Sequence, residues 1–391
     1  MAQGPGRGDG ATRHHDKETK MTEKARAAVL LEPRKLAVRE FAVPEIGADD
    51  AVLRVEAAGL CGTDYEQFQG HLKGTPWDVF PIIPGHEIQG WIDRIAPAAA
   101  QRWRVKEGDR VIVEASIPCG KCFQCQQGRA VLCHAGMGYG LRISATRPPH
   151  LWGAYATHLY LHPQANVHKA PDDLPRDVLS LCNPMSNAVR WAYERGKVGV
   201  GDAIVIAGPG QRGLLSVIVA RAAGAAMVVV TGTKADAVRL ALARELGADA
   251  TIDVDEEDPV ARVHELTGGR GADVVLDVAA GSVEPILQAV EMVRPGGSIV
   301  LAGLKSQKKI GELVPDKLVM KEISLIGALS SSWTAFEQAI PLLQRYRAEL
   351  AKLCTHAYPI ERAETAIRAL GREIIDRREA VHVHIDCTLD G

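Results

Sequence analysis

The sequence predicts an α/β protein in which a β-rich first region precedes a doubly wound parallel sheet covered by helices. Three observations predict it. Short Val-, Ile- and Ala-rich runs, broken by Pro, Gly and Asp, fill residues 27–175. Strand and helix patterns then alternate from 203 to about 304. A glycine-rich turn, GPGQRG, separates the first of these strands from the helix that follows it.

Length and charge bound the possible functions. A chain of 391 residues is expected to form two or three domains. Its 46 Lys+Arg against 48 Asp+Glu give a net charge of −2, so nothing favours a nucleic-acid partner. No apolar run approaches the roughly 18 residues of a membrane helix, and the N-terminus lacks the apolar core of a signal peptide. We therefore expect a cytoplasmic protein without a membrane partner.

The composition changes along the chain, and these changes predict four segments. The first is rich in Gly and charge and is expected to be disordered. The last contains a helix, SWTAFEQAIPLLQRY, a second helix, HAYPIERAETAIRALGR, and a closing strand, AVHVHID, and is expected to rejoin the first domain. The segments are a disordered extension (1–22), a β-rich domain (23–175) with a cysteine lobe (116–135), a dinucleotide-binding domain (176–330) and a returning C-terminal segment (331–391).

Four of the eight cysteines lie close together, with two, two and seven residues between them, at Cys119, Cys122, Cys125 and Cys133. Zinc prefers four such ligands arranged tetrahedrally, and four thiolates leave no position for a substrate. The spacing therefore predicts a closed, structural zinc site. An iron–sulfur cluster could use the same spacing, but the lobe is charged and nothing else in the chain indicates electron transfer.

The turn GPGQRG has the glycine spacing and the strand–turn–helix context of a dinucleotide site. Gly208 is expected to make the tight turn, Gly210 to let the backbone approach a pyrophosphate, and Gly213 to let helix and strand pack closely. Gln211 and Arg212 complete the turn at the helix start, where free N–H groups would face phosphates. Arg212 could add positive charge there.

The end of the second strand of this unit bears on the choice of cofactor. An acidic residue at that position would bind the ribose 2′-hydroxyl of NAD. Here Gly232 leaves room for a 2′-phosphate, Thr233 can donate a hydrogen bond to it, and Lys234 can neutralise it. The sequence therefore favours NADP, while Asp236, a few residues later, keeps NAD open.

Two further motifs, GLCGTD and PGHEIQG, contain Cys61 and the pair His86–Glu87. With the cysteine lobe, WGAYATH and GPGQRG, they make the chain resemble the zinc-containing medium-chain alcohol dehydrogenases, in the threonine and polyol dehydrogenase branch. The resemblance covers about residues 27–385. It implies a GroES-like catalytic domain joined to a Rossmann domain, and usually a homodimer or homotetramer.

The resemblance also implies a catalytic zinc held by Cys61 and His86, with Glu87 beside them and one position open to the oxygen of an alcohol or carbonyl substrate. Thr63 lies where the family places a hydroxyl that passes the proton outward. In such enzymes the metal polarises the alcohol and the nicotinamide accepts hydride.

One position departs from the family. The branch supplies its third ligand from a Glu before a Pro, but this chain has Asn183 there and Cys182 one residue earlier. Asn is a poor zinc ligand. The third ligand is therefore Glu87, which we favour, or Cys182, or the zinc is weakly held.

Two other functions remain open to the sequence: a reductase of activated double bonds on the same scaffold, and a dinucleotide-binding sensor. Relatives of the first kind generally lack the cysteine lobe. Four aromatic residues are candidates for a substrate pocket: Trp77, Phe80, Trp152 and Trp333.

Overall fold

The computed structural model describes residue 1, residue 4 and residues 23–374 and 379–389. The extension expected over 1–22 therefore lies outside the described residues apart from Met1 and Gly4. In the described chain, no helix is long and apolar enough to cross a membrane.

The first region is mainly β-structure, with three short helices between the strands. Its elements are β1 (Lys24–Glu32), β2 (Lys35–Ala42), β3 (Ala51–Gly59), α1 (Gly62–Gln69), β4 (Glu87–Ile95), α2 (Pro97–Trp103), β5 (Arg110–Val113), β6 (Ser116–Ile117), α3 (Phe123–Gln126), β7 (Met137–Gly138), β8 (His158–Leu161) and β9 (Val167–Lys169).

From residue 176 strands and helices alternate. The elements are α4 (Arg176–Leu179), α5 (Cys182–Ala188), a π-helical segment (Val189–Arg195), β10 (Ala203–Ala207), α6 (Gln211–Ala223), β11 (Met227–Gly232), α7 (Ala237–Glu245), β12 (Ala250–Asp253), α8 (Pro259–Leu266), β13 (Ala272–Asp277), α9 (Glu284–Met292), β14 (Val293–Leu301), α10 (Pro315–Met320), β15 (Ser324–Gly327), α11 (Trp333–Arg345), α12 (Arg347–Ala351), β16 (Cys354–Tyr358), α13 (Ala363–Leu370) and β17 (His382–Asp386).

Six strands form a parallel sheet in the order β12-β11-β10-β13-β14-β15. This is the strand order of a doubly wound dinucleotide-binding fold. The central strands β10 and β13 are buried along their whole length, because helices cover both faces of such a sheet. The predicted parallel-sheet domain is confirmed.

A second, mixed sheet has the order β16-β17-β3-β4-β5-β9, and β8 also pairs with β3. The C-terminal strand β17 lies antiparallel to β3, so the end of the chain joins the sheet of the first region. Apolar side chains of this sheet, among them Leu53 and Ile88, form one of the main cores together with Phe68 of α1.

One predicted element is wrong. The segment HAYPIERAETAIRALGR was expected to be a single helix, but its first residues belong to β16, where Ala357 pairs with His384 and Tyr358 with Ile385. Pro359 disfavours helical backbone in the residue before it. The helix α13 therefore begins only at Ala363.

Candidate catalytic metal and dinucleotide site

The pairing of β3 with β4 brings the two sequence motifs together. Gly59, the last residue of β3, lies opposite Glu87, the first residue of β4. Cys61 begins α1 as its N-cap, and its Sγ accepts a hydrogen bond from the Thr63 amide at 3.3 Å. The Asp64 carboxylate accepts one from the Cys61 amide at 2.9 Å. This reciprocal cap fixes where the thiol points.

Cys61, His86 and Glu87 are all buried, and one ligand atom from each lies within 4.8 Å of the others. His86 Nδ1 lies 3.3 Å from Asp64 Oδ1, within ion-pair distance but without hydrogen-bond geometry, so the carboxylate lies beside one ring nitrogen and the other is left for a metal. Glu87 Oε2 is buried and has no hydrogen-bond partner in the part of the chain that the structure describes. A sulfur, a nitrogen and an oxygen donor fit a zinc ion, which would also satisfy that oxygen.

The charges around this cluster favour the ligand form of the cysteine. Burial opposes ionisation of Cys61, but the Arg212 guanidinium and His86 lower the pKa of the thiol to about 6. Burial raises the pKa of Glu87 to about 8, although Arg212 acts in the opposite direction. Because a metal binds the thiolate, the lowered pKa of Cys61 supports metal binding near neutral pH.

The structure separates the three candidates for the remaining ligand. Cys182, in α5, lies in a hydrophobic core and outside the cluster. Burial raises the pKa of its thiol far above the ordinary range. Asn183 Nδ2 lies 3.5 Å from the backbone oxygen of His86. Only Glu87 is brought together with Cys61 and His86 among the described residues.

The cysteine lobe brings its four sulfur atoms to within 4.8 Å of one another, from Cys119, Cys122, Cys125 and Cys133. Cys122 Sγ lies 3.5 Å from Cys125 Sγ and 3.8 Å from Cys133 Sγ. Tetrahedral zinc with bonds of about 2.3 Å places its sulfurs about 3.8 Å apart. The four thiols therefore fit a closed zinc site.

Two glycines of the dinucleotide turn are required by the local backbone and its packing. Gly208 has a φ of 107°, and a Cβ there would lie 2.9 Å from the Ala279 nitrogen. A Cβ on Gly213 would lie 1.9 Å from the Gly208 oxygen. Gly210 is the N-cap of α6, so free N–H groups of this helix face the turn.

The polar side chains of the turn face the mixed sheet. The Arg212 guanidinium donates to Glu87 Oε1 at 3.0 Å and to Asn187 Oδ1 at 2.8 Å. Gln211 Nε2 lies 2.5 Å from His382 Nδ1 in β17. The sequence had suggested that Arg212 adds charge to the phosphate site, whereas its guanidinium lies against Glu87. Sequence reasoning missed Asn187 and His382, since no local motif marks them.

At the end of β11, the side chains expected to contact the cofactor form hydrogen bonds and an ion pair within the protein. A Cβ on Gly232 would lie 2.8 Å from Pro209 Cγ, so packing also requires glycine here. Thr233 donates to the Asp236 carboxylate through both its amide and its hydroxyl. Lys234, whose side chain is 75% exposed, pairs with Glu256 at 2.8 Å.

A cavity of about 100 Å³ opens beside Asn183, between the cysteine lobe and the parallel-sheet domain. Arg190, Ser331, Trp333 and Phe336 also line it. Of the aromatic candidates, Trp333 therefore lies at this cavity. By contrast Trp152 packs in the core of the mixed sheet, 5.0 Å from the Tyr160 ring.

Comparison with known proteins agrees with this geometry. Residues 47–172 match the alcohol dehydrogenase GroES-like domain, and residues 213–345 match the zinc-binding dehydrogenase family. A Mycobacterium tuberculosis protein named "Probable alcohol dehydrogenase adh" is 42% identical over 89% of this chain and 95% of its own length. The chain belongs to the zinc-containing medium-chain alcohol dehydrogenases.

Two further relatives extend this result. The erythritol/L-threitol dehydrogenase of Mycolicibacterium smegmatis is 31% identical over 86% of this chain and 92% of its own length. A structure described as a zinc-binding dehydrogenase of Sinorhizobium meliloti 1021 bound to NADP has a TM-score of 0.80 and 26% identity, and covers 93% of this chain and 99% of its own. This alcohol dehydrogenase is a zinc-dependent oxidoreductase that acts on alcohols with NAD(P). Neither a double-bond reductase nor a dinucleotide-binding sensor is favoured.

Proposed function

We propose that the enzyme oxidises a small polar alcohol, with NADP as hydride acceptor, at a catalytic zinc held by Cys61, His86 and Glu87, while Cys119, Cys122, Cys125 and Cys133 hold a second, structural zinc. The observation that carries this proposal is the buried convergence of the three ligand atoms within 4.8 Å. Zinc there supplies Lewis-acid polarisation of the substrate hydroxyl, and the nicotinamide supplies a hydride acceptor.

The chain's own residues then have distinct roles. Asp64 orients the His86 ring from 3.3 Å. Thr63 Oγ1 lies 3.4 Å from Cys61 Sγ, close enough to the cluster to accept the proton that the alcohol releases and to pass it outward. Gly208, Gly210 and Gly213 let the backbone bind the pyrophosphate.

The cavity beside Asn183 lies next to the metal cluster in the chain's packing, since Asn183 Nδ2 is 3.5 Å from the backbone oxygen of His86, and we propose that it receives a small, hydroxyl-bearing substrate. The buried atoms Arg190 Nε and Ser331 Oγ have no hydrogen-bond partner among the described residues. Buried polar atoms of this kind favour a ligand that can pair with them. The Mycolicibacterium smegmatis relative is named for erythritol and threitol, and we propose a short polyol here.

The first prediction concerns metal content. The purified enzyme is expected to hold two zinc ions per chain and no iron, and Cys122→Ser to hold one, because the lobe then lacks a ligand. Elemental analysis measures both. Cys387→Ala, which removes a half-buried cysteine outside either cluster, is the matched control and is expected to keep two. Iron in place of zinc in the lobe would contradict the assignment.

The second prediction concerns turnover. Cys61→Ser is expected to lower kcat/KM for every alcohol in a panel of primary, secondary and polyol substrates by at least ~100-fold, because even residues that only support zinc ligands change activity by about 10–100-fold. Cys182→Ala is expected to keep both its zinc and its activity. Full activity in Cys61→Ser would refute the site, and loss of zinc from Cys182→Ala would make Cys182 the third ligand.

The third prediction concerns the cofactor. Gly232, Thr233 and Lys234 are proposed to accept the 2′-phosphate of NADP, with Lys234 leaving Glu256 to do so. Lys234→Ala should raise KM for NADP about tenfold, the equivalent of about 1.4 kcal/mol, and leave KM for NAD unchanged. Lys106→Ala, an exposed lysine in a distant turn, should alter neither. An equal rise for both cofactors, or no rise for NADP, would show that Lys234 does not bind the 2′-phosphate and would contradict the proposal.

The fourth prediction concerns assembly. The strand β15 forms one edge of the parallel sheet, and Leu325, Val319 and Met320 expose apolar side chains beside it. We propose that this edge pairs with a second copy in a homodimer. Leu325→Glu should therefore give monomers in light scattering, whereas Val200→Glu, at a turn position that is more exposed than Leu325, should leave the mass of the assembly unchanged. A wild-type monomer would exclude the proposal.

A further inference from the structure

We infer that Arg212 positions Glu87 for the catalytic zinc and thereby couples dinucleotide binding to metal binding. The inference rests on the proposed function, because it takes Cys61, His86 and Glu87 as the metal site. It concerns how the two ligands of the enzyme regulate each other. Arg212 is a positioning residue, not a catalytic one.

The Arg212 side chain connects the glycine turn to the metal cluster. Arg212 belongs to the first turn of α6, inside the glycine turn that binds the pyrophosphate. Its Nη2 donates to Glu87 Oε1 at 3.0 Å, across to the first residue of β4. Its Nε donates to Asn187 Oδ1 at 2.8 Å, and its Cζ lies 5.9 Å from the centre of the Trp191 ring. The guanidinium is therefore held from three directions.

The Glu87 carboxylate that Arg212 contacts is buried and only partly hydrogen-bonded. Glu87 is 1% exposed, and its Oε2 is buried without a hydrogen-bond partner in the described chain. Gly59 has no side chain, which leaves space for the Glu87 carboxylate, since a Cβ at Gly59 would lie 2.3 Å from Oε2. With one oxygen engaged by Arg212, the other is left to a metal ion. A planar guanidinium fixes a carboxylate in this way better than a flexible ammonium does.

The charge balance of the metal cluster also depends on Arg212. Asn183 contributes no charge to the cluster, so Cys61 and Glu87 are the two side chains that can face zinc as anions once metal binding releases their protons. The Arg212 guanidinium, 3.0 Å from Glu87 Oε1, is the cation paired with this carboxylate. Once Glu87 is ionised it is a buried anion, and such a group is strongly destabilised when its partner is removed. Removing Arg212 therefore leaves a buried carboxylate with neither a cation nor a fixed position.

Arg212 links the dinucleotide site to the zinc site. A dinucleotide bound at the turn orders the start of α6, and the same helix start determines where the guanidinium lies. A zinc ion bound by Glu87 fixes the guanidinium from the opposite end. Each ligand therefore favours the conformation that the other requires, and the coupling must be equal in both directions.

The experiment measures this coupling directly on the full-length zinc enzyme. Release of zinc to 1,10-phenanthroline is followed with and without saturating NADPH, or NADH if that cofactor binds. Binding of the same cofactor to zinc-loaded and zinc-depleted enzyme is followed by nicotinamide fluorescence. We expect the cofactor to tighten binding of the more labile zinc about tenfold, within the usual range of coupling between sites, and zinc to tighten cofactor binding by the same factor.

Arg212→Met is expected to abolish the coupling in both directions, and Arg212→Lys to retain part of it. In the cobalt-substituted enzyme Arg212→Met should also shift the visible absorption bands, because Glu87 changes its position. Arg221→Met is the matched control: Arg221 lies on the same helix but donates to Gly247 and Ala225, so its removal should leave the coupling intact.

Unchanged coupling in Arg212→Met would overturn the inference, as would its absence from the wild type. If near-UV circular dichroism shows that Arg212→Met does not fold, Arg212→Gln is measured by the same criterion. These failures are distinguishable from failure of the proposed function, which would appear as a wild-type enzyme that holds no zinc outside the cysteine lobe or oxidises no alcohol.

Discussion

The register between β3 and β4 is the constraint on which the proposed catalytic site depends. It sets Gly59 opposite Glu87, so that Cys61, two residues beyond one strand end, meets His86, one residue before the other. A slip of one residue would turn Glu87 to the opposite face of the sheet. The absence of a side chain at Gly59 also matters, because Glu87 Oε2 occupies the space that a Cβ would fill. The strands hold this register because β4 is paired on both sides, with β3 and β5.

The parallel-sheet domain completes the site through side chains of its own turn. The C-terminal strand β17 lies beside β3 and carries His382, which contacts Gln211 and Ser180. Arg212 contacts Glu87 from the same turn. Buried polar and charged groups of this kind are stable only when they are paired. The glycine turn and the Cys61–His86–Glu87 cluster are therefore parts of one polar network, and in the proposed function the turn serves both the dinucleotide and the metal.

The cysteine lobe contrasts with this arrangement because it is local. Its four cysteines lie within fifteen consecutive positions, and short turns are sufficient to bring their sulfur atoms together. The residues of the proposed catalytic cluster come from two strand ends that are distant in sequence. For that reason the lobe could be identified from spacing alone, whereas the cluster could be identified only by resemblance to a family.

The parallel-sheet domain, the glycine turn and the cysteine lobe could all be predicted from the sequence alone. Each of these depends on contacts within a few residues or within one strand–turn–helix unit, and such contacts leave a periodic or spaced pattern. The tertiary structure alone decided that Cys182 lies in the core, that Trp152 packs away from the cavity, and that HAY forms a strand beside β17. It also decided that Arg212 contacts a carboxylate 125 residues away. Side-chain direction over such distances depends on how the sheets pack and on which buried charges need a partner, and no local pattern records either.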